Sequence, residues 1–191
     1  MQQQLKKIVI IGPESTGKST LSQLLAEHYA TEWCEEYARE YLLTHGTEYS
    51  YDDLLTIAKG QLALEEKYAL LTVNRSPSTE SDKRSTVNGK LLFIDTDMYV
   101  MKVWCEYVFG KCHPYIEEQI AERKYDLYLL CNIDLPWVKD ELREYPDEAP
   151  RRELYGIYKN ILQNQSVPWV DISGNYEERL QKAIEAVDGI V

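Results

Sequence analysis

Positive charge is scarce in this chain: 21 lysines and arginines stand against 32 aspartates and glutamates, a formal net charge of −11. Nucleic acid and anionic membranes both need a basic face to dock on, so neither partner is expected. No apolar run reaches the about 18 residues that cross a bilayer, and the leading MQQQLKK lacks the apolar stretch of a secretion signal. Cysteine is sparse too. Cys34 and Cys131 lie in apolar stretches and read as core, while Cys105, Cys112 and His113 have neither a C-x-x-C pair nor a fourth ligand nearby. A metal centre there is not expected, and the expected setting is the cytoplasm, with reduced thiols. The [NT]-K-x-D signature of a guanine-specific switch is missing, since the closest stretches are VKDE and YKNI. With no internal repeat and no sign of a second domain, residues 1–191 are expected to form one domain around a sizeable core.

What the chain does contain is IVIIGPESTGKST, Ile8 to Thr20. Gly12, Glu14, Ser15, Thr16, Gly17, Lys18 and Ser19 fall on the spacing G-x-x-x-x-G-K-[ST], between an apolar strand and an amphipathic helix. A loop of this kind turns consecutive backbone N–H groups inward, and the helix after it adds its positive N-terminal end. Lys18 supplies a mobile cation for the outer phosphates, and the Ser19 hydroxyl is placed to ligate Mg²⁺. Gly12 to Thr20 is therefore read as the binding loop of a nucleoside triphosphate.

Strand and helix signals alternate along the rest of the chain, which predicts an α/β fold with a parallel sheet covered on both faces. Strands are expected at Lys7–Ile11, Thr31–Glu35, Lys90–Asp95, Tyr125–Cys131 and Val167–Ser173. Helices are expected at Lys18–Tyr29, Tyr37–Leu43, Tyr51–Leu71, Met98–Phe109, Tyr115–Arg123 and from Tyr176 onward. The last has Asn175 at its cap and Glu178 three residues on, with Tyr176, Leu180, Ala183, Ile184 and Val187 as its apolar stripe. The polar segment 74–89 reads as a mobile, solvated loop.

Three further stretches carry chemistry. In LLFIDTD, Asp95 ends an apolar strand, where a carboxylate meets Mg²⁺ at the mouth of a parallel sheet. Asp97 holds substrate, acts with Asp95 through water, or caps the following helix, and is the alternative to Glu36 as the base. In CEEYAREYL, Glu36 leaves the second strand where an acceptor hydroxyl must lose its proton, and Arg39 lies one turn later, either on substrate or as a surface partner of Glu36. The charged run 139–156 holds Arg143, Arg151 and Arg152 in a helix broken by Pro146 and Pro150. It is either a solvated face or a lid whose arginines close over the transferring phosphoryl group. Trp104 and Tyr107 follow Asp97, as core packing or as a platform for a flat ring.

GPESTGKSTL, EYAREYL, IAKGQ (Ile57–Gln61), FIDTD, VW, YDLYLLC with DLPWVKD, and the pair Arg151–Arg152 together resemble the ribosylnicotinamide kinase domain of NadR-type proteins, from Lys7 to about Gly189. The resemblance implies a P-loop kinase fold of sheet order 2-3-1-4-5, with ATP and Mg²⁺ as cofactors. It also implies phosphorylation of the nicotinamide riboside 5′-hydroxyl to nicotinamide mononucleotide, a step toward NAD. The cationic pyridinium of that acceptor suits an aromatic platform. Bifunctional members carry a nucleotidyltransferase domain ahead of the kinase, and with about six residues before the first strand none is expected here; the segment 74–89 also looks longer than the family core needs. Two other functions share the same phosphate motifs: a kinase for a different nucleoside or nucleotide, and a sensor that binds ATP or NAD without turnover.

Overall fold

The computed structural model describes residues 4–74 and 90–191. The expected loop 74–89 lies outside them except for Asn74, which closes a helix. The five strands are β1 (Leu5–Ile11), β2 (Glu32–Cys34), β3 (Lys90–Asp95), β4 (Leu127–Cys131) and β5 (Trp169–Ile172). The helices around them are α1 (Lys18–His28), α2 (Tyr37–His45), α3 (Tyr51–Asn74), α4 (Met98–Phe109), α5 (Pro114–Glu122), α6 (Glu148–Gln163) and α7 (Tyr176–Asp188). All strand pairs are parallel, in the order β2-β3-β1-β4-β5. This is the P-loop kinase arrangement.

The apolar run of β1 is buried because β1 is central and covered twice. Ile8 and Ile10 pack with Phe93 and Leu129 under Leu21 and Leu25 of α1 and Ala183 and Val187 of α7. The alternate residues Val9 and Ile11 pack with Ile94 and Leu130 under Val103 of α4 and Leu154, Tyr158 and Leu162 of α6. Each fully buried aliphatic side chain contributes about 1.5–3 kcal/mol, so the two layers fix the strand register firmly. That register places Ile10 opposite Asp95, which brings the end of β3 to the turn leaving β1. The turn needs glycine: at Gly12, with φ 144°, a Cβ would sit 2.7 Å from the Cys131 carbonyl oxygen.

Two expectations need correction. Residues 139–147 are not helical, and α6 begins only at Glu148. Pro150 then falls in the first turn, where a missing N–H breaks no helical bond, so it starts the helix rather than breaking it. The buried stripe of α7 is Arg179, Ala183 and Val187, at four-residue spacing, with Leu180 and Ile184 half-buried against the same core as expected, whereas Tyr176 is 54% exposed. The capping box of Asn175 and Glu178 is present as expected. Cys34 and Cys131 are fully buried.

Candidate active site

The loop between β1 and α1 is wound tightly, with Ser15 (φ 56°) and Gly17 (φ 78°) in left-handed conformation. Thr16 Oγ donates to the Pro13 carbonyl at 2.7 Å, and Lys18 Nζ donates to the same oxygen at 3.1 Å. Helix α1 has no side-chain cap and no acidic residue in its first turn, so its positive end stays available to an anion. Arg179 braces the loop from behind. Its guanidinium donates to the carbonyls of Thr16 (2.7 Å), Asn132 (2.8 Å) and Gly174 (2.8 Å) and pairs with Asp134. Sequence reasoning missed Arg179; the available signal was a charged residue in register with Ala183 and Val187 on an otherwise apolar stripe.

Asp95 is completely buried at the mouth of the sheet and accepts the Ser19 hydroxyl at 2.5 Å through Oδ2. Its Oδ1 is one of two buried side-chain polar atoms among the described residues that have no hydrogen-bond partner. Burial pushes its carboxyl up to about 6, opposed by the Lys18 charge and reinforced by Glu36. A hydroxyl touching a carboxylate that keeps one oxygen free, beside a phosphate loop, fits the hard oxygen ligation of Mg²⁺.

Asp97 is equally buried but fully used. Its Oδ1 accepts the Tyr99 and Val100 N–H groups at 3.0 and 3.3 Å and caps α4, while its Oδ2 accepts the Tyr128 hydroxyl at 2.9 Å. It is not part of the cleft wall. Burial raises its carboxyl to about 7. Asp97 thus forms the helix cap, one of the readings its sequence position allowed, and both oxygens accept hydrogen bonds from the fold.

The arginines divide in the same way. Arg151 is buried against the loop, with long contacts of 3.5 Å to the Ser15 and Leu135 carbonyls, and its Nε is the second unpartnered atom. Desolvation weakens its hold on its proton. Arg152 points to the surface, pairs with Glu148, and faces a separate depression away from the main cleft. Arg143 lines the main cleft and donates to the Val138 carbonyl.

Glu14 turns out to grip the segment 137–145. It accepts the Trp137 indole N–H (3.2 Å) and the backbone N–H groups of Glu144 (2.9 Å) and Tyr145 (2.7 Å), while Ser15 Oγ accepts Val138 N–H (2.9 Å). From the other side Arg39 pairs with Asp140 at 2.8 Å, and Tyr49 donates to Glu144 at 3.1 Å. The segment therefore straps the phosphate loop to α2.

Between loop and strap lies a cleft of about 840 Å³. Thr20, Glu36, Arg39, Trp104 and Tyr107 all line it, as do the residues of the loop itself. Trp104 donates to the Tyr49 hydroxyl at 2.8 Å, and Tyr107 donates to Glu153 at 3.1 Å and meets Tyr145 edge-on. Glu36 caps no N–H of α2; its carboxylate accepts the Thr96 hydroxyl at 3.4 Å.

Residues 7–179 match the family described as AAA domain. Two curated relatives are similar over 96% of this chain: the trifunctional NAD biosynthesis/regulator proteins NadR of Escherichia coli (strain K12), 29% identical, and of Salmonella typhimurium (strain LT2), 27% identical. The chain spans 42% of the length of each. A crystal structure of NadR protein in complex with NR superposes with a TM-score of 0.74 at 26% identity, covering 97% of this chain and 49% of that one. A second, of NadR protein with NAD and AMP-PNP, gives 0.68 at 25% identity over the same shares. Thymidylate kinase from Ehrlichia chaffeensis shares the fold, with a TM-score of 0.59 at 14% identity, covering 95% of this chain and 97% of that one.

Proposed function

The chain belongs to the AAA domain family, and we propose that it is an ATP-dependent kinase that phosphorylates the 5′-hydroxyl of nicotinamide riboside. The observation that carries this reading is the charge of the acceptor wall. Glu35, Glu36, Glu40, Asp140 and Glu144 line the cleft with Trp33, Trp104, Tyr107 and Tyr145, against the cations Lys18, Arg143 and Arg39, the last already paired to Asp140. A phosphorylated acceptor would meet repulsion there, whereas a cationic aromatic ring is drawn both by the carboxylates and by the ring faces. The NR of the structural relative, read as nicotinamide riboside, supports the same acceptor.

The loop N–H groups, the α1 N-terminus and Lys18 take the β- and γ-phosphates. Ser19 and Asp95 would hold Mg²⁺, which would neutralise charge on the phosphate oxygens. Arg151, whose Nε faces no partner, stabilises charge on the transferring group, with Arg143 beside it. Glu36 accepts the proton of the acceptor hydroxyl. Residues 139–156 act as a lid, gripped by Glu14, that excludes water and so favours the acceptor over hydrolysis.

The test is ADP release from MgATP with a panel of nicotinamide riboside, thymidine and thymidine monophosphate. Release with nicotinamide riboside at least about tenfold faster than with the others is the expected result. Preference for the monophosphate would overturn the acceptor reading, and binding of MgATP without release for any acceptor would make the protein a sensor.

A further inference from the structure

Glu36 projects from a two-residue junction between β2 and α2, an irregular place to hold a group that must meet a hydroxyl within about 0.5 Å. Gln61, 1% exposed on α3, supplies the missing support. Its Oε1 accepts the Tyr37 N–H at 2.7 Å, and its Nε2 donates to the Glu35 carbonyl at 3.3 Å and the Asp95 carbonyl at 3.4 Å. One side chain thereby binds the backbone on either side of Glu36 and ties it to the residue proposed to hold the metal. The close approach depends on Gly60, where a Cβ would lie 2.0 Å from the Tyr37 ring.

Thr96 contributes from the opposite side. It sits at φ 78°, a costly conformation for a β-branched residue, and is 1% exposed. Its N–H donates to the Ile10 carbonyl at 3.2 Å, and its hydroxyl is aimed at Glu36. Strain kept at a strand end beside a carboxylate calls for a function, because glycine would relieve it without changing the chain path.

We propose that Gln61 and Thr96 are positioning residues that fix the Glu36 carboxylate relative to Asp95, so that proton acceptor and metal site are set by one bracket. This rests on the reading of Glu36 as proton acceptor. The bracket holds backbone and carboxylate, and neither of its residues lines the cleft.

The experiment is a double-mutant cycle in the full chain, measuring kcat by ADP release and Kd for MgATP directly. Gln61→Met should lower kcat by about 10–10²-fold and leave the MgATP Kd within about twofold. In a Glu36→Gln background the same substitution should cost less than about threefold, because the group it positions is already gone. Thr96→Gly should lower kcat by about fivefold or more without lowering Tm, and Thr96→Ser should restore it. Losses that multiply in the double variant, loss of MgATP binding by Gln61→Met, or wild-type kcat in Thr96→Gly would each overturn the bracket alone. Wild-type kcat in Glu36→Gln would overturn both the bracket and the proton-acceptor reading beneath it.

Discussion

The two ends of the cleft are built differently. At the phosphate end, behind the residues that line the cleft, two buried polar atoms of opposite charge, Asp95 Oδ1 and Arg151 Nε, have no hydrogen-bond partner. At the acceptor end the functional side chains are engaged with one another: Arg39 with Asp140, Trp104 with Tyr49, Tyr107 with Glu153. An unpartnered buried polar group costs about 1–3 kcal/mol, so the first end is preorganised for a ligand that satisfies it. The second end is satisfied and partly exposed, and a substrate gains there only what it offers beyond the existing pairs. Binding energy and catalysis should therefore be concentrated at the phosphate end, and specificity at the acceptor end.

The strongest way to break this contrast is Lys18→Ala. Turnover should fall by more than about 10³-fold with the fold intact, since the side chain hydrogen-bonds the Pro13 carbonyl, faces the cleft and belongs to no core cluster. MgATP at about 100 times its Kd adds roughly 2.7 kcal/mol and should raise the wild-type Tm by roughly 5–11 °C. Near-wild-type activity in the variant, or no shift with millimolar MgATP, would remove the phosphate end from the account.

The adjacent arginines sharpen it next. Arg151→Met should lower kcat on the order of 10³-fold, as for other cations that close on a transferring phosphoryl group, while Arg152→Met should stay within about twofold. Steady-state kinetics of the pair decide this. Equal effects would mean that burial beside the loop is not what matters.

The carboxylates give a smaller and more discriminating test. Glu36→Gln should lower kcat by roughly 10²–10⁴, toward the small end because phosphoryl transfer is largely dissociative, with the MgATP Kd nearly unchanged. Asp97→Asn should keep kcat within about threefold, because an amide still caps α4 through its oxygen. If the two results are exchanged, Asp97 is the base.

Smallest is the pH dependence of that same cap. The Asp97 carboxyl is raised from 3.8 to about 7 in the folded chain, so the folded state binds the proton more tightly than the unfolded one. Its contribution is fully present below the unfolded value and is lost as pH rises toward the folded one. The Tm of Asp97→Asn relative to wild type should therefore climb between pH 4 and 7 and level off above. A difference that is flat with pH would show that Asp97 is not held as described.

Much of the fold was legible because its signals are local. Apolar runs ending in Gly12 or Asp95 marked β1 and β3, and the boundaries of α4 and the capping box of α7 follow from side chains next to one another in sequence. The arrangement around the site was legible only where a motif is contiguous, as in 12–20. The helix of the charged run was misplaced because Tyr158 and Leu162, which with Leu154 form the buried stripe of α6, lie beyond residues 139–156. The bridging role of Gln61 (legible only as the end of IAKGQ), Arg179 and the grip of Glu14 were invisible for a different reason. Each acts on backbone groups 24 or more positions away, and no spacing rule connects Thr16 to Arg179. Their one shared trace is a polar residue in register with a buried helical stripe, which Gln61 and Arg179 both show.

The central claim is that the γ-phosphoryl group crosses from the preorganised end to a riboside hydroxyl at the self-paired end. Its most direct test is to incubate the protein with MgATP and nicotinamide riboside and follow both products by phosphorus NMR and mass spectrometry. The account predicts nicotinamide mononucleotide, with phosphate on the 5′-oxygen, formed in equal amount with ADP. ADP accompanied by inorganic phosphate and an unchanged riboside would contradict it.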